Sequence, residues 1–221
     1  MITEEQWDRA FELLLPTVSL GVATLSVVLG IMALRRAGSL GRRTYSQDGS
    51  YLVSVRYPWQ WNDIREFVQP DNPDVLAIYY QIGPDPWLLY DFVCREIDYR
   101  RDIRGEFWLT PSETLALAKA DCEDTSILLC SLLRNFTDAH VAIGEYQGYG
   151  HAWVAKGGQI YETTYTRAMP ASDPEHYFPY CLFDEREVIE LWTGAFGEIF
   201  ALRRNEVAKL NLMAEVLNGF A

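Results

Sequence analysis

The longest uncharged run in the chain lies between Leu13 and Leu34, LLLPTVSLGVATLSVVLGIMAL. A helix needs about 20 apolar residues to cross the hydrocarbon core of a bilayer, so this run predicts one transmembrane helix. Its Ser, Thr and Gly residues are tolerated because a helix satisfies its own backbone, and Pro16 falls in the first turn, where its missing N–H costs least. A cleaved signal peptide fits the flanks less well: Glu4, Glu5, Asp8 and Glu12 surround Arg9 before the run, and no small-x-small site follows it. Arg35, Arg36, Arg42 and Arg43 come directly after it. The positive-inside bias therefore predicts a single-pass membrane protein whose soluble part is cytoplasmic. The chain divides on this reading into a tail at 1–12, the span at 13–34 and a basic linker at 35–57, with Tyr51 to Arg56 as a short strand at its end.

Beyond the linker, three segments open with the same chemistry. Asn72-Pro73, Asp85-Pro86 and Thr110-Pro111 each put a capping side chain before a proline suited to the first helical position. The first two continue with apolar stripes at helical spacing, through Val75, Leu76, Ile78, Tyr79 and Ile82, then Leu88, Leu89, Phe92, Val93 and Ile97. The third carries Thr110 and Glu113 at capping-box spacing. After residue 139 the texture changes to short β-type runs at 140–146, 151–156 and 159–166, separated by Gly-containing turns. Residues 177–183, YFPYCLF, read as a further strand in which Pro179 requires an edge or a bulge. From Asp184 to Asn218 the apolar spacing is again helical, with Gly194 and Gly197 as bending points. The predicted fold is α+β, helices followed by an antiparallel sheet, in a domain at 58–183 with a helical extension at 184–221.

Charge narrows the function. Nineteen basic side chains face 31 acidic ones for a net charge of −12, which excludes nucleic acid as a partner because its binding depends on neutralising phosphates with Lys and Arg. The four cysteines, Cys94, Cys122, Cys130 and Cys181, show neither CxxC pairing nor small-scaffold density, against a zinc ribbon or a disulfide framework. Walker A, GxGxxG, HExxH and GxSxG motifs are absent from the sequence, and no cofactor is expected.

One constellation carries chemistry. In AKADCEDTSILLCSLLRN, Cys122 falls at the first turn of an apolar helix, with Asp121 placed to cap it and Glu123 and Asp124 at its positive end. Helix N-terminal amides stabilise thiolates, while the adjacent carboxylates oppose that shift unless they face backbone donors. The other three cysteines sit inside a helix or strand and read as small buried hydrophobes. His151 opens a strand, and a two-residue Gly157-Gly158 turn sets the register of the hairpin that follows it. In that register His151 and Glu162 share a face as diagonal neighbours, roughly 7–8 Å apart at the backbone, within reach of a Glu side chain. A slip of one residue would send Glu162 to the other side. Cys122, His151 and Glu162 are thus candidates for nucleophile, base and orienting acid. His140 and His176 have neither Cys nor carboxylate at informative spacing and are assigned to core or surface. A metal site from Cys122, His151, His176 and Cys181 is disfavoured for want of paired ligand spacings.

The stretches FWLTPSETLALAKADCEDTSILLCSLLRN and GEYQGYGHAWVAKGGQIYETTYT resemble the transglutaminase-like superfamily, especially its bacterial cysteine-proteinase-like members, over roughly residues 58–190. The hallmarks are Trp-x-x-Pro-x-Glu-x-Leu, then Gly-Asp-Cys-Glu-Asp, then His-Ala-Trp. The resemblance implies a papain-like α+β core and a Cys, His and Asp or Glu triad, carried over to Cys122, His151 and Glu162. Ala120 stands where the family usually has Gly, and the acid is one methylene longer than the more frequent Asp. The expected function is a membrane-anchored thiol enzyme that cleaves or transfers a peptide or amide acyl group through a Cys thioester, acting on a protein or peptide. The alternative is a catalytically silent, membrane-tethered module of the same fold in a larger assembly, with the C-terminal helix as the surface for a protein partner.

Overall fold

A computed structural model describes residues 43–57, 59–100 and 107–201. The expected span at 13–34, with most of its basic flank, lies outside the described residues, as does 202–218 of the expected C-terminal helix. No helix among the described residues is long and apolar enough to cross a membrane.

The described chain opens with a hairpin, β1 (Arg43–Gln47) and β2 (Ser50–Ser54), which β3 (Asn62–Asp63) joins in a three-stranded sheet. Part of the stretch read as linker is therefore ordered as strand. The turn between β1 and β2 is Asp48-Gly49 with φ of 52° and 80°, the Asp-Gly signature of a tight hairpin turn with two positive-φ residues. Three helices then begin where their capping residues stand: α1 (Pro73–Ile82), α2 (Pro86–Glu96), and, after β4 (Asp98–Tyr99), α3 (Pro111–Leu117). The Asn72 carboxamide accepts from the Asp74 N–H, Asp85 accepts from the Trp87 and Leu88 N–H groups, and Thr110 and Glu113 form the complete capping box. Glu113 also forms a two-pronged ion pair with Arg56, 2.8 Å on each arm, and the same guanidinium donates to the Trp108 carbonyl at 2.9 Å. Burial alone would raise the Glu113 carboxyl, but its hydrogen bonds from Arg56 and Thr110 hold it below its ordinary value.

After β5 (Lys119–Ala120), which pairs in parallel with β4, comes α4 (Cys122–Leu133), every residue of which is buried. It packs on all three earlier helices and on the following sheet. A helix closed in on every side must be apolar or internally paired all round. Ile127, Leu128, Leu129, Leu132 and Leu133 meet that condition by side chain, and Ser131 does so by donating to the Ile127 carbonyl at 2.7 Å and accepting from the Gln69 N–H at 2.9 Å.

The main sheet contains β6 (His140–Tyr146), β7 (Tyr149–Lys156), β8 (Gln159–Tyr161), β9 (Tyr177–Phe183) and β10 (Val188–Glu190), in the order β10-β9-β6-β7-β8 and antiparallel throughout. The Gly157-Gly158 turn produces the expected register, with Val154 opposite Tyr161 and Ala155 opposite Ile160. β8 ends at Tyr161, so it is shorter than the β-type run that predicted it.

The reading of Asp184 onward as continuous helix is corrected: β10 occupies Val188–Glu190, and among the described residues helix resumes as α5 at Ala195–Ala201. Val188 and Ile189 are β-branched and lie beside the open edge of β9, and for so short an apolar run periodicity does not separate helix from strand. Gly194, at φ of 89°, then precedes the start of α5.

Pro179 sits in an interior strand, and the structure takes the bulge option. The register of β6 and β9 shifts between Ile143 and Gly144, and Gly144 then faces Pro179. A Cβ on Gly144 would lie 2.1 Å from the Phe178 carbonyl oxygen, 2.7 Å from Pro179 Cα and 2.8 Å from Trp153 Cη2. Two of these atoms are backbone, so the strand itself would have to move. Gly144→Ala should therefore destabilise the fold by about 3 kcal/mol, the upper end of the cost of overpacking, seen as a lower urea midpoint. An unchanged midpoint would show that the bulge yields.

Candidate active site

Cys122 is the first residue of α4, as its sequence context requires, and is fully enclosed. The three acids around it do different work. Asp121 occupies the N-cap position, but its side chain does not make the expected cap hydrogen bond. Glu123, also buried, accepts the Cys122 thiol hydrogen at Oε2, 2.9 Å away. Asp124 accepts the Leu109 backbone N–H at 2.7 Å, and so ties the segment before α3 to the start of α4. Trp108, next to that anchor, is buried with its ring against Phe67 at 5.3 Å and Phe183 at 6.4 Å.

His151 and Glu162 are brought together. The imidazole Nε2 and the carboxylate Oε2 are 2.6 Å apart, and both residues are buried. Glu162 lies one residue beyond the end of β8, outside the ladder, yet on the side its register requires. Its Oε2 also accepts from the Tyr177 hydroxyl at 2.9 Å. Its Oε1 accepts from the Thr164 N–H at 3.0 Å and the Thr164 hydroxyl at 2.5 Å. Burial would push this carboxyl up, but the charge and hydrogen bond of His151, with the two bonds from Thr164, overrule it and bring it down to about 2. Tyr177 moves the other way, since burial and the Glu162 charge both resist phenolate formation and keep its proton in place to donate.

The imidazole is framed by aromatic rings. Tyr146, Trp153 and Tyr177 have centroids 5.8, 6.1 and 6.2 Å from that of His151. Trp153 in turn meets Tyr177 edge-on at 5.1 Å. Across from His151 in the β6 ladder stands Gly144, without a side chain, and the Trp153 ring fills that space.

Further contacts relate the elements. α4 packs on β7, the strand that carries His151. Thr163, adjacent to Glu162, shares hydrogen bonds with Thr125 at 2.8 Å and Ser126 at 3.1 Å, both on the first turns of α4. Behind Glu162, its backbone carbonyl accepts the Tyr90 hydroxyl from α2 at 2.9 Å. Tyr177, Thr164, Thr163 and Tyr90 were not singled out from sequence. Only Thr164, two residues from Glu162, carried a local signal, because a hydroxyl at that spacing commonly turns back on a carboxylate.

Residues 106–188 match the family described as the CEP76 peptidase-like domain. Among solved structures, calcium-bound LapG of Legionella pneumophila is similar at 13% identity and a TM-score of 0.43, covering 58% of this chain and 86% of that one. The EGTA-treated form of LapG aligns at 13% identity and a TM-score of 0.45, covering 62% and 94%. A protein of Cytophaga hutchinsonii assigned to the cysteine proteases aligns at 17% identity and a TM-score of 0.36, covering 57% and 53%. No curated protein matches the sequence.

Glu162 has a sign-definite consequence for stability. Its carboxyl is depressed from 4.5 to about 2 in the fold, so its contribution is fully present above the unfolded value and is lost as pH falls through the folded one. Glu162→Gln should be less stable than the native chain at neutral pH, with the difference closing between about pH 4.5 and 2 when urea midpoints are compared across pH. A constant difference over that range would mean the carboxylate charge is not what the site holds.

Proposed function

We propose that the chain is a thiol peptidase of transglutaminase-like type in which Cys122 attacks a peptide carbonyl, His151 moves the proton and Glu162 orients His151. The observation that carries this reading is the buried 2.6 Å contact between His151 Nε2 and Glu162 Oε2. With Nε2 committed to an ionised carboxylate as donor, the lone pair of the imidazole resides on Nδ1, the tautomer a general base requires. Nδ1 takes the thiol proton, and the thiolate adds to the carbonyl carbon. The amine then departs with that proton, leaving a thioester. Water attacks the thioester, its proton passing to Nδ1, and the acid is released with the thiol restored. The Cys122 N–H at the start of α4 is one donor suited to the oxyanion. Water is taken as the acyl acceptor because it needs no dedicated amine site.

The Cys122 thiol also lies 2.9 Å from Glu123 Oε2, so on this reading its hydrogen leaves that carboxylate before it passes to the imidazole. Nucleophilic activation then follows the general pattern of a thiol, a base and a group that fixes the base. The same enclosure of Cys122 favours the second reading, a silent module of this fold. Exposed Phe178, Ile189, Leu191 and Trp192 on and beside β9 and β10 would suit a partner surface in that case.

Thiol chemistry separates the two readings. All four cysteines are buried, so exposure does not favour any one of them. Burial pushes the Cys94 and Cys130 thiols strongly up and Cys181 up to about 12. Iodoacetamide at neutral pH should alkylate Cys122 faster than the other three, read by peptide mass spectrometry, and His151→Gln should remove that advantage. Equal rates in the native chain would leave the silent module.

Membrane attachment belongs to the proposal and rests on the uncharged run 13–34 and the arginines that follow it. The domain is then cytoplasmic. In sealed, right-side-out vesicles it should resist added protease until the membrane is permeabilised. Digestion of the intact vesicles would reverse the orientation.

A further inference from the structure

A second cluster of ligating groups lies at the other end of β6, and it needs no part of the proposed peptidase chemistry. His140 begins β6, Asp184 follows β9 directly, and Glu187 precedes β10. The ladders set them level. Val141 pairs with Phe183 and Phe183 with Val188, so the three residues occupy the same end of three adjacent strands.

The turn between β9 and β10 orients Asp184. Its Oδ1 accepts from the Arg186 N–H at 2.7 Å and the Glu187 N–H at 2.9 Å, while Oδ2 lies 3.6 Å from His140 Nε2. Glu187 Oε1 is 3.5 Å from the same nitrogen. That nitrogen is shielded from solvent and has no hydrogen-bond partner among the described residues. The two separations exceed the range of good N–H···O bonds, about 2.7–3.2 Å. They are close to the roughly 3.4 Å edge of a tetrahedron whose metal–ligand bonds are about 2.1 Å. All three candidate ligand atoms lie within 4.8 Å of one another.

The surrounding charge also favours a cation. Among the described residues, the carboxylates of Asp138, Asp184, Glu185 and Glu187 gather at this corner with the guanidinium groups of Arg134 and Arg186. Arg134 lies 3.3 Å from Asp184 Oδ2 but is held by Glu185 at 2.8 Å and Asp138 at 2.9 Å. Arg186 pairs with Glu185 at 3.0 Å.

We propose that His140, Asp184 and Glu187 form a binding site for a divalent transition-metal cation of the zinc type, which clamps the start of β6 to the turn between β9 and β10. One imidazole nitrogen with two carboxylates suits zinc better than magnesium or calcium, which prefer all-oxygen shells. Water completes the fourth position. Arg134, 3.3 Å from Asp184 Oδ2, helps to hold that carboxylate in place, as outer-sphere partners of ligating carboxylates do.

The test is equilibrium dialysis of the full chain against zinc chloride, in a Cys122→Ser background so that this thiol does not compete. The expected result is one equivalent of zinc, a higher melting temperature with zinc, no displacement by millimolar magnesium, and at least tenfold weaker binding in both His140→Gln and Glu187→Gln. Glu187 is largely exposed, with a side-chain exposure of 58%, so its variant should fold normally by circular dichroism and decides the matter if the His140 variant does not. Absence of stoichiometric zinc, or zinc bound equally well by Glu187→Gln, would overturn the site. Because no peptidase readout enters, failure here leaves the proposed reaction untouched, and the reverse also holds.

Discussion

An ionised carboxylate enclosed in a protein is stable only where donors replace the water it has lost, and Glu162 meets that demand from three directions. His151 reaches it from β7, Tyr177 from the start of β9, and Thr164 through both backbone and side chain from its own loop. The loop after β8, the register of β7 and the position of β9 are thereby coupled to one group. Each donor also limits where the imidazole can turn, since Tyr177 and His151 share a single oxygen. A structural necessity, satisfying a buried charge, thus also fixes the His151 ring in place.

The helix that carries Cys122 is held by comparable economy. The Trp-x-x-Pro-x-Glu and Asp-Cys-Glu-Asp segments are two halves of one support. Glu113 closes the cap of α3 and pairs with Arg56, Arg56 reaches the Trp108 carbonyl, and Asp124 accepts the next N–H along, that of Leu109. Residues within the motifs therefore do unlike work. Cys122 and His151 have reactive groups, whereas Glu113 and Asp124 fasten backbone to backbone through carboxylates.

The strand end of the site depends on a bulge. Gly144 lets Phe178 and Pro179 come close enough that Tyr177, at the start of β9, stands beside Trp153 and His151. Proline in an interior strand gives up a ladder donor, and the register shift absorbs that loss. Trp153 fills the space over the glycine, so the aromatic frame around the imidazole and the irregular pairing of β6 with β9 are one packing solution.

Local chemistry made much of this readable in advance. The caps at Asn72, Asp85 and Thr110, the start of α4 at Cys122, and the approach of Glu162 to His151 depend on residues a few positions apart or on one tight Gly-Gly turn, where backbone stereochemistry leaves few choices. The Asp48-Gly49 hairpin was equally local and was passed over inside a segment read as linker. By contrast, β10 in place of a helix reflects the open edge of β9, which a periodicity of apolar residues does not contain. Tyr177 on Glu162, Thr163 on α4, and His140 beside Asp184 and Glu187 are meetings of segments far apart in the chain. The sequence by itself determined which residues are candidates for chemistry and how each short element begins. Only the tertiary structure decided which of them share a buried space, because that depends on strand order and on how side chains fill a common volume rather than on spacing along the backbone.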